Sequence, residues 1–130
     1  MDEINFKILI VDENVTFRNN LASKLRIQGY TVEFASGGFH LLHTLERIKE
    51  YNLLIIHEDM LDMSAEEMIS LIRINKTKSE LPILFISQND SETEIAEMVS
   101  NGANEYIIKS SNFQPIIEKT QKYFTLFKNS

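Results

Sequence analysis

Five short apolar runs, alternating with stretches of helical periodicity, constrain the fold of this chain more than any other feature. The runs cover residues 6–11, 31–35, 53–56, 83–86 and 105–108, and several are continuously apolar. Such runs are typical of parallel strands that are covered on both faces. Between them, apolar residues recur at three- and four-residue spacing, as on one helix face. The pattern predicts an α/β fold, a (βα)5 doubly wound domain around a five-stranded parallel sheet.

Helix-ending and helix-starting residues fall where this pattern needs them. Gly29 and Gly102 follow two of the helical stretches, and Ser91 precedes Glu94 as in a capping box. A chain of 130 residues with 43% hydrophobic residues is of the usual size and composition for one globular domain. We therefore predict a single domain over residues 1–130 with its core at about 6–124.

The composition argues against several classes of function. The formal net charge is −6, and the 13 Lys and Arg residues are spread along the chain, so we expect no nucleic-acid partner. There is no cysteine, which excludes disulfides and thiolate metal sites. Neither a signal-peptide pattern nor an apolar run of membrane-spanning length is present. We expect a soluble cytoplasmic protein without a membrane partner, either a monomer or a weak dimer.

Polar residues that could carry chemistry stand where the predicted strands end. Asp12 and Glu13 follow the first strand, His57 the third, Ser87 the fourth and Lys109 the fifth. In open parallel sheets, ligands bind beyond the carboxyl ends of the strands, at the switch point of strand order. Carboxylates, a hydroxyl and a lysine suit a hard cation and a phosphate-like anion. The sequence thus predicts a pocket centred on His57.

From residue 6 to about residue 124, the chain resembles the receiver domain of bacterial two-component response regulators. Residues 7–13 look like its first strand with the acidic pair, and residues 81–87 look like its fourth strand with the switch hydroxyl at Ser87. Residues 102–109 resemble its fifth strand, with the switch aromatic Tyr106 and the phosphate-binding Lys109. The resemblance implies a flavodoxin-like sheet of order 2-1-3-4-5. It also implies a metal site made by Asp12, Glu13 and the backbone carbonyl of Asp59.

The resemblance breaks down at the residue that accepts a phosphoryl group in the family. His57 occupies that position; making Asp59 the acceptor would break the family's loop matches at Met60, Met63 and Ser64. Further departures cluster near the pocket: Leu61, Ala65, Gln88 and Ser110. The family's lysine-proline bond is typically cis, whereas a cis Lys109–Ser110 bond would cost about 3–4 kcal/mol, so we predict a trans bond.

A histidine at this position changes the chemistry of the pocket. An acyl phosphate needs a carboxylate nucleophile, which imidazole does not supply. The missing carboxylate also weakens Mg²⁺ binding, so we expect no cofactor; a transition metal held through His57 is the alternative. Lys109 should pair with Asp12, and Ser87 should lose the phosphoryl partner that draws it inward in the family.

The leading hypothesis is a stand-alone degenerate receiver, or pseudo-receiver, in two-component and phosphorelay signal transduction. It would be a non-enzymatic module that signals through protein contacts independently of phosphorylation, with a sensor kinase or a downstream signalling protein as its partner. By resemblance, the contact face lies on the fourth helix, fifth strand and fifth helix. It includes Glu94, Met98, Tyr106, Lys119, Lys122 and Tyr123.

Two other functions stay open at this point. His57 with Asp12 and Glu13 places a titratable imidazole among carboxylates, which suits a metal- or pH-sensing pocket. Alternatively, His57 itself accepts a phosphoryl group as a phosphoramidate.

Overall fold

The computed structural model describes residues 5–47, 50–58, 60 and 62–130, and there the five strands and five helices alternate as predicted. The strands are β1 (Lys7–Val11), β2 (Thr31–Ala35), β3 (Leu53–His57), β4 (Ile83–Ser87) and β5 (Glu105–Ile108). The helices are α1 (Val15–Ile27), α2 (Gly38–Arg47), α3 (Ala65–Asn75), α4 (Glu92–Asn101) and α5 (Gln114–Lys128). The predicted (βα)5 architecture is confirmed.

All strand pairs are parallel, and the sheet order is β2-β1-β3-β4-β5, as the resemblance implied. β3 is the central strand, and β1 pairs with β2 on one side and with β3 on the other. In this register Val11 lies opposite both Ala35 and Ile56, so the carboxyl ends of these strands meet at one edge. The chain reverses its direction of winding between β1 and β3, which is where parallel sheets of this type bind ligands.

Each face of the sheet carries its own core, because side chains alternate along a strand. Every residue of β3 and β4 is buried, which explains their continuous apolar sequences. One core packs against α2, α3 and α4 and includes Leu9, Leu54, Phe85, Leu41, Met68 and Met98. The other packs against α1 and α5 and includes Ile8, Ile55, Leu84, Leu21, Leu25 and Ile116. Each fully buried aliphatic side chain contributes about 1.5–3 kcal/mol to the stability of the fold.

None of the helices among the described residues is sufficiently long and apolar to span a membrane.

The predicted helix boundaries are confirmed by their backbone geometry. Gly29 and Gly102 have φ of 100° and 136°, a region that favours glycine. Ser91 Oγ accepts a hydrogen bond from Glu94 N at 3.4 Å. The Lys109–Ser110 bond is trans.

Two strands are one residue longer than the sequence predicted. β3 ends on His57 and β4 ends on Ser87, rather than one residue earlier. Two of the residues of interest therefore lie within the sheet, where the hydrogen-bond ladder fixes their backbone.

Candidate functional site

His57 and Asp12 form a buried pair at the carboxyl edge of the sheet. Their side chains are 1% and 0% exposed, and His57 Nδ1 lies 3.0 Å from Asp12 Oδ1. Because a carboxylate only accepts, Nδ1 carries the proton in this contact. The backbone N–H of Asn14 donates to the same oxygen at 2.8 Å. The predicted association of His57 with the acidic pair is thus present through Asp12.

Phe17, which the sequence analysis missed, forms the aromatic floor of the site. Its ring stacks on His57 with centroids 4.9 Å apart and planes 16° apart, and Phe113 meets its edge at 5.3 Å. Lys109 Nζ lies over the same ring, 4.7 Å from the centroid. The expected ion pair between Lys109 and Asp12 was wrong: the Asp12 carboxylate pairs with His57, while the Lys109 ammonium makes a cation–π contact.

The Glu58 carboxylate points towards the end of β4. One of its oxygens accepts a hydrogen bond from Ser87 Oγ, and the other accepts from the backbone N–H of Gln88 at 2.8 Å. Ser87 is buried. Ser87 was expected to lose its phosphoryl partner, and the chain supplies a carboxylate of its own to the Ser87 hydroxyl. Glu58 directly follows β3 in the sequence, but the sequence does not indicate which way its side chain points.

Asn89 connects the pocket to the neighbouring helix and strand. Its backbone N–H donates to Ser87 Oγ at 3.0 Å, and its carbonyl accepts from Tyr106 Oη at 2.6 Å. Its side chain donates to Glu94 Oε2 at 2.8 Å and accepts from Ser91 N at 2.9 Å. Burial raises the pKa of Tyr106, which keeps its hydroxyl protonated as a donor. The two predicted switch residues, Ser87 and Tyr106, are thus linked through Asn89.

The described donor set does not fit a divalent metal ion. Asp12 Oδ2 and Glu13 Oε2 are buried without hydrogen-bond partners among the described residues, and the other Asp12 oxygen is held by His57. Over the described ranges, no three His, Asp or Glu side chains converge as metal ligands; Asp59, whose carbonyl was a predicted ligand, lies outside these ranges. Mg²⁺ prefers several oxygen ligands in octahedral geometry, and an imidazole replaces one of them here.

The predicted contact face is only partly exposed. Met98 and Tyr123 are 3% and 8% exposed, so these two residues were wrongly placed on it. Met98 packs in the core beneath α4, and Tyr123 Oη donates to Glu105 at 2.5 Å. Glu94 and Tyr106 are half-buried. The face also contains Ile108 of β5, an apolar residue that is 42% exposed and was not predicted.

Lys119 and Lys122 lie on α5 and both pair with Glu105. Their Nζ atoms are 3.2 and 3.0 Å from its carboxylate oxygens. Burial opposes the charged form of Glu105, but hydrogen bonds from Tyr123, Lys122 and Lys119 outweigh it and lower its pKa. The two ammonium groups stay partly exposed and remain on the surface of the predicted face.

The fold and the site define a class: a doubly wound parallel α/β domain with acidic, hydroxyl and lysine side chains at the switch point between β1 and β3. The family model of the response regulator receiver domain matches residues 8–121. The chain belongs to this family, whose members are modules of two-component signalling.

The relatives and the structures that it resembles agree with this assignment. The chain is 29% identical over 121 residues to the chemotaxis protein CheY-3 of Vibrio cholerae, with 92% of each chain covered. It is 27% identical to the chemotaxis protein CheY1 of Helicobacter pylori, covering 88% of this chain and 94% of that one. The response regulator protein TrrA of Thermotoga maritima, solved in complex with Mg(2+)-BeF, superposes with a TM-score of 0.79 at 27% identity, covering 91% and 98%.

Proposed function

We propose that this receiver domain signals through protein contacts without aspartyl phosphorylation. The observation that carries the proposal is the side chain at the end of β3: a buried imidazole bonded to Asp12 stands where the family places its acceptor carboxylate. Nothing at that position can form an acyl phosphate. The proposed module is non-enzymatic, and the cytoplasm stays its predicted location.

The contacts of His57 argue against its acting as a phosphoryl acceptor. Its ring is 1% exposed and lies flat on Phe17, so a donor phosphohistidine would have to displace packed aromatic surface to reach it. Nδ1 is already committed to Asp12. The described groups also fail to converge as metal ligands, which argues against a metal-sensing pocket.

The proposed contact face consists of exposed or half-buried residues on α4, β5 and α5. Its members are Glu94, Tyr106, Ile108, Lys119 and Lys122. This surface combines charged groups with an apolar side chain and an aromatic one, as protein interfaces do. A sensor kinase or a downstream signalling protein is the proposed partner, and the module itself is a monomer or a weak dimer.

Amide NMR on the purified chain tests the proposal directly. Acetyl phosphate or beryllofluoride, each added with Mg²⁺, should give no saturable shifts at Ser87 or Lys109. Saturable shifts at both residues in the unmodified chain would refute it. His57→Asp is the matched variant: a gain of phosphate by intact mass in this variant alone would show that the imidazole is what prevents the reaction.

A further inference from the structure

Glu58 occupies a position that offers two hydrogen-bond donors to one anion. The Ser87 hydroxyl and the Gln88 backbone N–H come from adjacent residues at the end of β4, and each donates to a different oxygen of this carboxylate. Hydrogen bonds to a charged acceptor are stronger than those between neutral groups. The chain therefore holds a negatively charged group against the donors that end β4.

We propose that Glu58 is a built-in anionic ligand of the Ser87–Gln88 pair, and that it holds the segment between β4 and α4 in one conformation. In this role it is a positioning residue, since it acts through Ser87 and Asn89. The inference rests on the proposed function for its biological meaning: a domain that cannot be phosphorylated would present one fixed state of its contact face.

The position of Glu58 in the fold explains how its side chain reaches β4. Adjacent side chains on an extended chain point in opposite directions, so His57 turns towards Phe17 while Glu58 turns away from it. The Glu58 N–H donates to Ile86 O at 3.0 Å, which continues the ladder between β3 and β4. The backbone is therefore fixed beside Ser87, and only side-chain entropy remains to be lost when the carboxylate binds.

Hydrogen bonds carry the effect from Glu58 to the contact face. The Ser87 hydroxyl donates its only proton to Glu58, so its lone pairs face the N–H of Asn89. Asn89 in turn accepts from Tyr106 and bonds to Glu94. Removing the carboxylate frees the Ser87 hydroxyl to rotate and thereby loosens Asn89, Tyr106 and the start of α4.

The test is Glu58→Ala in the full chain, followed by amide NMR and by titration with free acetate. The amides of Gln88 and Asn89 and the ring signals of Tyr106 should move. Acetate should then return them towards their original positions along one saturation curve, because it restores a carboxylate to the vacated space. Glu66→Ala removes an exposed carboxylate from the first turn of α3 and serves as the matched control. Neither it nor the unmodified chain should respond to acetate.

Two results would overturn the inference. The first is that the signals of Gln88, Asn89 and Tyr106 do not move in Glu58→Ala. The second is that they move but acetate does not restore them, because simple loss of packing would give that result. Ser87→Ala removes the hydroxyl that donates to Glu58 and keeps the inference testable if the Glu58 variant fails to fold. It should shift the signals of Asn89 and Tyr106 while Gln88 keeps its bond to Glu58, and unmoved Tyr106 signals would contradict the role.

If the unmodified chain takes up phosphate, the proposed function fails. If it does not, and the Glu58 variant is silent, only the positioning role fails.

Discussion

The two ends of the sheet are held together in different ways. At the amino end, the Arg73 guanidinium donates to five neutral oxygens of the described residues, at 2.9–3.2 Å. These are the backbone carbonyls of Lys76, Thr77, Leu81 and Gly102 and the side-chain Oδ1 of Asn104. At the carboxyl end, the Asp12 carboxylate contacts His57. The His57 ring and the Lys109 ammonium group both pack against the ring of Phe17.

The difference separates a structural end from a functional one. The amino-end hub, meaning Arg73 and the five oxygens that accept from it, connects α3 and two loops to the sheet. The carboxyl end retains two buried carboxylate oxygens, Asp12 Oδ2 and Glu13 Oε2, without hydrogen-bond donors among the described residues. Unpaired buried polar atoms cost about 1–3 kcal/mol each, and proteins accept such costs mainly at functional sites.

The largest expected effect concerns the aromatic floor of the carboxyl end. Phe17→Ala should lower the free energy of unfolding by about 4 kcal/mol, because it removes a buried ring that contacts His57, Lys109 and Phe113. Chemical denaturation measures the loss. Phe39→Ala, which removes an exposed ring from α2, should cost far less. Equal losses in the two variants would show that Phe17 does not support the site.

The amino-end hub should yield a somewhat smaller loss. Arg73→Ala leaves four carbonyls and Asn104 without their shared donor, and we expect the unfolding free energy to fall by about 3 kcal/mol. Arg47→Ala removes an exposed arginine at the end of α2 and is the matched control. Denaturant midpoints compare the two; a loss below about 1 kcal/mol would mean that the hub contributes little to this end of the sheet.

The sequence predicted the fold because the signals that define it are local. The apolar runs gave all five strands to within one residue, and Gly29, Gly102 and Ser91 marked helix ends correctly. Strand ends likewise placed Asp12, His57 and Ser87 at one edge. These positions follow from the alternation of strand and helix and from the shared direction of parallel strands.

Side-chain contacts across the fold were not readable in the same way. The direction of Glu58 and the central place of Phe17 depend on which neighbour each side chain meets, and no periodicity encodes that. Met98 and Tyr123 were placed on the surface, although the faces of α4 and α5 that carry them turn towards the sheet. A family's contact face transfers to a new chain only after the burial of each residue is known.

The smallest effect concerns the ion pairs that Glu105, the first residue of β5, makes with Lys119 and Lys122. Hydrogen bonds from Tyr123, Lys122 and Lys119 outweigh the effect of burial and lower the pKa of Glu105. Its contribution to stability is therefore fully present above the unfolded-state pKa of about 4.3, and it is lost as the pH falls through the folded-state pKa. Glu105→Gln should therefore lower the free energy of unfolding by about 1 kcal/mol at pH 7, a small loss because solvent screens both lysines. The difference in unfolding free energy from the unmodified chain should shrink below about pH 4. Unfolding curves at several pH values test this, with Glu118→Gln, an exposed glutamate on α5, as the control. A difference that stays constant down to acid pH would assign the role of Glu105 to packing rather than to charge.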